Sequence, residues 1–194
     1  MKKGKKRHFT PAELCQMAKN TAKERQVAYR SPFTMMSVYC NHVLFFEEKM
    51  STPKLAEYNK LTREYYNSLE ENNEILNDLL KRIEEKANFP IGFNPFTEDD
   101  IPKDMKKGSY VYELQKKVVE HNNMVDEMSV KYLACNFCAL MDMGWGKIRL
   151  NRLKDRLNEI LAEHESDDGD ACLKMREELI ERAGLEIEMP KVYK

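Results

Sequence analysis

Two long stretches of this chain place apolar residues at intervals of three and four, the period of one face of an α-helix. The first stretch covers residues 52–86 and opens on a threonine followed by proline, a frequent start of a helix. Its face consists of Leu55, Tyr58, Thr62, Tyr65, Leu69, Asn72, Leu76, Leu79 and Ile83. The second stretch covers residues 110–143, with Val111, Leu114, Val118, His121, Val125, Met128, Tyr132, Cys135 and Ala139. The spacing predicts two long helices folded together as an antiparallel hairpin.

Charged residues make up 34% of the chain, while glycine and proline number only 7 each, a composition that favours helix over sheet. Four shorter helices are predicted at about residues 10–29, 32–50, 147–163 and 170–183. Residues 185–189 alternate apolar and acidic side chains, which fits either a short C-terminal strand or a packed extended tail. The predicted fold class is all-α: an elongated helical bundle with a long antiparallel helical hairpin and a small C-terminal helical subdomain.

The chain divides into three predicted regions. Residues 1–9 form a basic flexible leader, residues 10–109 an N-terminal helical region, and residues 110–194 the long helix with the C-terminal helical subdomain. The N-terminal region ends in a Pro/Phe-rich loop at residues 88–109, which contains Phe89, Phe93 and Phe96. A loop that long is usually functional, so we expect its aromatic side chains to be exposed and to anchor a partner.

Nothing in the sequence points to a membrane. No run approaches the roughly 18 to 20 apolar residues that a membrane-spanning helix requires, and the basic start lacks the apolar segment of a secretory signal. We therefore expect a cytoplasmic protein. The five cysteines have irregular spacing, which is typical of reduced thiols rather than of a disulfide framework.

Cys135 and Cys138 form a Cys-x-x-Cys pair, the spacing of zinc ligands and of redox pairs. The nearest complement for a zinc site is Cys40 with His42, which would have to meet the pair across two helices. The pair also falls within strong helical periodicity, which favours buried structural thiols over zinc or redox chemistry. No metal and no other cofactor is predicted.

No set of residues has the spacing of a catalytic site. The four histidines are scattered and form no His-Glu-x-x-His pair, and no serine lies in a Gly-x-Ser-x-Gly turn. The run Gly144-Trp-Gly-Lys147 follows a predicted helix rather than a strand and lacks the spacing of a phosphate-binding loop. We expect Gly144 to end the long helix in the left-handed conformation and the protein not to be an enzyme.

The predicted helix at 147–163 is strongly basic at its start. Arg149, Arg152 and Arg156 share one face, a spacing that suits the recognition of phosphates or carboxylates. Acidic residues follow at helical spacing, so two interpretations stay open: salt bridges within the chain, or binding to nucleic acid or to an acidic protein surface. The candidate partner-binding residues are Lys147, Arg149, Arg152, Arg156, Trp145, Phe93 and Phe96.

One segment resembles a known group of proteins. It contains Leu133-Ala-Cys-Asn-Phe-Cys-Ala-Leu140, then Gly144-Trp-Gly-Lys-Ile-Arg-Leu150, and a later Gly184-Leu-Glu-Ile187. These motifs are similar to those of small helical proteins, mostly of unknown function, encoded by phages, prophages and conjugative elements of Gram-positive bacteria. The likeness covers about the last third of the chain, and it implies a mobile-element setting without implying a chemistry.

Together these features predict a non-enzymatic accessory protein of a phage or other mobile element that binds a host macromolecule. Its sharpest form is an anti-defence inhibitor, such as an anti-CRISPR protein that acts on a nucleic-acid-bound effector nuclease. The alternative is a nucleic-acid-binding regulator or replication accessory that uses the basic residues 147–156. A third alternative is a homodimer paired through the apolar face of residues 55–83.

Overall fold

The computed structural model of the protein describes residues 33–72, 74–92, 95–97, 101, 107–164 and 170–187. Of these residues 81% are helical and none is in a strand, so the predicted all-α bundle is confirmed. Helix α1 covers residues 33–42 and continues as a π-helical turn at Val43–Glu47. The other helices are α2 (Thr52–Glu71), α3 (Ile75–Ala87), α4 (Tyr110–Asp142), α5 (Lys147–His164) and α6 (Asp170–Ala183). The predicted leader and the predicted helix at 10–29 lie outside the described residues.

Helix α1 ends earlier than the predicted Met50. Its last turn widens into the π-helical form, and Lys49 then adopts a positive φ of 55°. The backbone N–H of Met50 donates to the carbonyl oxygen of Leu44 at 2.9 Å, which closes the end of the helix. As a result Glu47 and Glu48 lie at the end of α1, where they reach the side chains of α5.

The prediction of one continuous helix at 52–86 is wrong, because the chain leaves the helical conformation at Asn72. That residue has φ −148° and ψ 106°, and its side-chain oxygen accepts a hydrogen bond from the backbone N–H of Glu74 at 2.9 Å. Asparagine competes for backbone hydrogen bonds in this way, which makes it a frequent helix breaker. The stretch therefore forms two helices, α2 and α3.

Helix α4 has the predicted start and end. The Ser109 hydroxyl accepts a hydrogen bond from the N–H of Tyr112 at 3.2 Å, and Gly144 follows the helix with a φ of 83°. Its second half is almost entirely buried, whereas several apolar residues of its first half are exposed. These exposed residues are Tyr110, Val111, Leu114 and Val118, named here the outer stripe of α4.

The predicted partner helix does not cover the whole of α4. Tyr58 of α2 contacts Asn136, and Tyr65 of α2 contacts Asp142. Both contacts lie in the second half of α4. Because α2 is cut short at Asn72, it covers the second half of α4 and leaves the outer stripe uncovered.

One hydrophobic core joins helices from both sides of the predicted boundary at 109/110. Its largest fully buried side chains include Tyr39, Tyr58, Phe137, Leu150 and Leu179. Each such side chain contributes about 1.5–3 kcal/mol of hydrophobic stabilisation. The apolar face of residues 55–83 is part of this core, so the face proposed for a homodimer is already occupied within one chain.

Helix α6 packs near the end of α1. The imidazole Nε2 of His42 lies 2.7 Å from the Glu178 carboxylate, and the Arg182 guanidinium lies over the Phe46 ring. Gly184 ends α6 with a φ of 63°, as a left-handed C-terminal residue. Residues 184–187 follow without regular secondary structure, and Arg176 Nε donates to the carbonyl oxygen of Ile187 at 2.6 Å. Within the described part of the predicted tail no strand forms, and Leu185 and Ile187 pack partly buried against the core.

Candidate functional site

The turn after α4 sets the orientation of α5. The buried face of α5 consists of Leu150, Leu153, Leu157 and Ile160, which all lie in the core. Because these residues recur at intervals of three and four, the residues between them must face outward. The basic residues of α5 therefore line its outer side, next to the end of α1.

The arginines of α5 are bound by carboxylates of α1. Arg152 donates from Nε to Glu48 Oε1 at 2.6 Å and from Nη2 to Glu48 Oε2 at 2.8 Å, a bidentate pair. Arg149 Nε donates to the same carboxylate at 3.3 Å. The Glu48 side chain is only 7% exposed, and the hydrogen bond from Arg152 lowers its pKa below the ordinary value. The Glu48 carboxylate lies between the guanidinium groups of Arg149 and Arg152 and fixes the position of both.

Arg156 belongs to a second group of charges. Its guanidinium lies 2.9 Å from Glu47, 3.0 Å from Glu159 and 3.8 Å from Glu163. The three arginines thus face four carboxylates of the same chain. Of the two interpretations left open by the sequence, the structure shows the internal salt bridges. Glu47 and Glu48 carry no sequence signal for this role, since they lie about a hundred residues away from their partners.

An exposed apolar residue stands among these charges. Ile148 is 81% exposed and lies at the edge of a shallow depression of about 560 Å³. The residues that line the depression are Glu47, Lys147, Ile148, Asn151, Arg152, Asp155, Arg156 and Glu159, named here the α5 surface. Asn151 donates to the carbonyl oxygen of Ala87 at 2.9 Å, which ties α5 to the end of α3. Ile148 was not among the predicted site residues, although its position off the leucine face indicates exposure.

Trp145 does not belong to this surface, contrary to the prediction. It is only 6% exposed, and its backbone N–H donates to the carbonyl oxygen of Leu140 at 2.9 Å. The Arg149 guanidinium lies over its ring, 3.8 Å from the centroid. The indole is therefore a core residue that positions Arg149 through a cation–π contact.

The phenylalanines of the 88–109 loop differ in their surroundings. Phe89 is buried against Phe137, with ring centroids 5.2 Å apart, so it cannot serve as an exposed anchor. Phe96 is 46% exposed, and the Asn123 side chain binds both its N–H and its carbonyl oxygen, at 2.7 and 2.8 Å. Phe93 lies outside the described residues. Of the two phenylalanines that the structure describes in this loop, Phe96 is the exposed one, and Asn123 holds its backbone.

Cys40, Cys135, Cys138 and Cys172 are buried. Burial raises the pKa of Cys40 and Cys135 to about 12 and that of Cys138 to about 11. His42 pairs with Glu178 instead. Among the described residues no three metal-binding side chains come together, so Cys40, His42, Cys135 and Cys138 do not assemble into a zinc site. Raised pKa values make these thiols unreactive.

A titratable cluster that the sequence did not reveal joins α2, α3 and α4. The Tyr65 hydroxyl donates to Asp142 at 2.6 Å, and Arg82 donates to both Tyr65 and Asp142. Burial raises the pKa of Tyr65 to about 12, so the phenol stays protonated at neutral pH. Burial also acts to raise the pKa of Asp142, but the hydrogen bonds from Arg82 and Tyr65 outweigh it and leave this pKa below its ordinary value. These hydrogen bonds connect α2, α3 and α4.

Comparison with protein-family models, with curated proteins and with solved structures finds no match to this chain. Within the described ranges, no helix has both the length and the apolar content needed to cross a membrane. The fold therefore defines the class, an all-α helical bundle, and the α5 surface is the candidate site.

Proposed function

We propose that this protein is a non-enzymatic binding protein whose partner is another protein, and that the α5 surface makes the contact. The observation that carries the proposal is the exposure of Ile148 among fixed charges. A single apolar side chain that is 81% exposed would be unremarkable alone. Here it lines a depression together with ion-paired side chains of both signs.

The chemistry of the α5 surface fits a protein interface. Such interfaces combine an apolar anchor with arginine and a polar rim, and preformed side-chain geometry lowers the entropy lost on binding. Arg152 and Arg156 are held by Glu48 and Glu47, so their guanidinium groups do not have to be ordered by the partner. Their remaining donors can still bind backbone carbonyls or carboxylates.

The class of partner follows from the resemblance of the 133–150 motifs to proteins of mobile elements. Such proteins act inside a host, so the partner in this proposal is a host protein. In its sharpest form the protein is an anti-defence inhibitor, such as an anti-CRISPR protein that blocks a nucleic-acid-bound effector nuclease. Expression in cells with an active nuclease defence should then protect a targeted plasmid, and Ile148→Asp should abolish that protection.

The binding surface can be tested before any partner is known. Tagged wild-type protein and Ile148→Asp are expressed in the host, and the captured proteins are quantified by mass spectrometry. The control is Ile180→Asp, which alters an exposed isoleucine of α6 far from α5 in sequence. A defined protein that is lost with Ile148→Asp and kept with the control supports the proposal. Equal capture by all three chains contradicts it.

The alternative is a nucleic-acid-binding regulator or replication accessory that uses residues 147–156. One observation favours it: the side chains of Arg149 and Arg152 remain 44% and 60% exposed despite their pairing with Glu48. Phosphates would have to compete with that carboxylate for the guanidinium groups. This competition is the reason for preferring a protein partner.

A further inference from the structure

A cavity of about 360 Å³ lies between α4, α5 and the segment 89–92 that follows α3. Its lining is mainly apolar, and Met36, Phe137 and Leu157 contribute to it from the hydrophobic core. Leu161, which also lines the cavity, is 41% exposed, so the cavity opens to solvent beside it. This cavity, named here the α4/α5 cavity, shares no lining residue with the α5 surface.

The polar groups that α4 contributes to the cavity are hydrogen-bond acceptors. Asp126 and Ser129 are three residues apart and therefore lie on the same side of the helix. The Ser129 hydroxyl donates its proton to the carbonyl oxygen of Val125 at 2.9 Å, so it offers only lone pairs to a ligand. The half-buried Asp126 carboxylate is an acceptor as well. A ligand that donates hydrogen bonds suits this side of the cavity.

Asp126 also gives the cavity a negative charge. Lys131 on α4 pairs with Glu127 at 2.7 Å, and Lys154 on α5 pairs with Asp155 at 3.1 Å. Within the part of the chain that the structure describes, no cation pairs with Asp126 in this way. A half-buried carboxylate attracts a cation more strongly than a fully hydrated one, because the effective dielectric constant is lower there. The charge therefore favours a cationic ligand.

We propose that the α4/α5 cavity binds a small molecule that consists of an apolar ring or branched chain and one protonated amine. The apolar part packs on Met36, Phe137 and Leu157, and the ammonium group donates to Asp126 and Ser129. Small-molecule sites combine an apolar lining with a few polar groups in this way, over volumes of about 300–1,000 Å³. The proposal goes beyond the proposed function, because the α5 surface lies on another side of α5.

The volume sets the size of the ligand. A dry apolar cavity of about 150 Å³ is enough to hold benzene. The α4/α5 cavity, at about 360 Å³, therefore has room for a pair of fused rings together with the amine.

An anionic ligand fits the cavity less well. Lys154 is the one cation among the described residues that line it, and both Asp155 and the Phe89 ring already contact the Lys154 amine. An anion would have to compete with the Asp155 carboxylate and would be repelled by Asp126.

The test uses three probes of one shape and different charge: naphthylmethylamine, naphthalenemethanol and naphthoate. Each is titrated at neutral pH into the nitrogen-15-labelled full-length protein, and binding is followed through the amide signals in heteronuclear NMR. We expect the amine to bind saturably and roughly tenfold more tightly than the alcohol, because a charge-assisted hydrogen bond adds to the apolar contact. The shifted signals should belong to residues 126–133 and 154–161. No saturable binding of the amine in the millimolar range, equal or tighter binding of naphthoate, or shifts centred elsewhere would each overturn the proposal.

Two matched variants test the role of the carboxylate. Asp126→Asn should lower the affinity for the amine roughly tenfold, to the level of the alcohol, and leave the affinity for the alcohol unchanged. The control Glu127→Gln removes the same charge from the next residue, which is exposed and does not line the cavity, and it should keep the wild-type affinities. An unchanged affinity for the amine in Asp126→Asn, or an equal loss in the control, would contradict the assignment.

A third variant tests the apolar part of the site. Leu133 is half-buried and lines the cavity, so Leu133→Trp should fill part of it and weaken the binding of amine and alcohol alike. Circular dichroism shows whether this variant folds, and Asp126→Asn decides the question if it does not. Unweakened binding to folded Leu133→Trp would place the probes outside the cavity and overturn the proposal.

Discussion

Glu48 accepts two hydrogen bonds from the guanidinium of Arg152, at 2.6 and 2.8 Å, across a sequence separation of 104 residues. This pair fixes the end of α1 against the outer side of α5. It also neutralises part of the basic face that the sequence offered as a phosphate-binding site. The structure and the proposed function therefore depend on the same carboxylate.

Loss of the Glu48 charge should destabilise the fold. Glu48→Gln keeps the shape of the side chain but weakens its hydrogen bonds to Arg149 and Arg152, and we expect the free energy of unfolding to fall by on the order of 1 kcal/mol. The measurement is urea unfolding followed by circular dichroism. The matched control is Glu47→Gln, whose side chain is 41% exposed and whose loss should cost less. A larger effect from the control would refute this ranking.

The difference in unfolding free energy between wild type and Glu48→Gln should depend on pH. The pKa of Glu48 is lowered in the folded state, mainly by the hydrogen bond from Arg152, so the folded state binds this proton less readily than the unfolded state. The stabilisation is fully present above the unfolded glutamate pKa of about 4.3 and is lost as the pH falls through the lower folded value. The stability difference between wild type and Glu48→Gln should stay constant above about pH 5 and shrink below about pH 4. A difference that persists unchanged down to pH 3 would contradict the assignment.

The buried hydrogen bond between Tyr58 and Asn136 should matter more than its single hydroxyl suggests. Tyr58→Phe removes the donor and leaves the Asn136 amide oxygen in the core without it, at a cost of about 1–3 kcal/mol. Tyr110→Phe is the control, because Tyr110 is 66% exposed and its change should stay within about 0.5 kcal/mol. Urea unfolding of both variants gives the comparison, and equal stabilities would show that the buried hydrogen bond contributes nothing.

The buried thiols should be inert in the folded protein. Cys40, Cys135, Cys138 and Cys172 are buried, and the first three have raised pKa values. In a Cys15→Ser background we expect Ellman's reagent to react with the native protein at least about a hundredfold more slowly than with the urea-unfolded chain, because the thiolate is the reactive form. A cysteine that reacts at the unfolded rate would contradict the burial described for it.

Helix ends and buried faces could be predicted from the sequence wherever a single local residue pattern determines them. Gly144 marks the end of α4, and the leucine spacing of α5 identifies its buried face. Asn72 was missed because it fits the apolar spacing while its side chain binds the backbone of Glu74. Helical periodicity shows which face is apolar, but it does not show what covers that face.

The candidate site was less predictable than the fold. The arginines of α5 were identified, but their partners Glu47 and Glu48 are distant in sequence and follow no motif. Trp145 was listed among the candidate partner-binding residues, whereas its ring is buried and lies under the Arg149 guanidinium. Long-range ion pairs of this kind depend on the tertiary packing of α1 against α5 and cannot be read from local spacing.

The central claim is that the arginines of α5 are neutralised within the chain and leave a surface for a protein partner. The most direct test is fluorescence anisotropy of labelled single- and double-stranded DNA and RNA, titrated with the protein at low and at physiological salt. We predict no saturable binding even at low salt, and no difference between wild type and the double variant Arg149→Ala with Arg152→Ala. Tight binding that weakens steeply with salt and is lost in the double variant would contradict the claim and establish the nucleic-acid alternative.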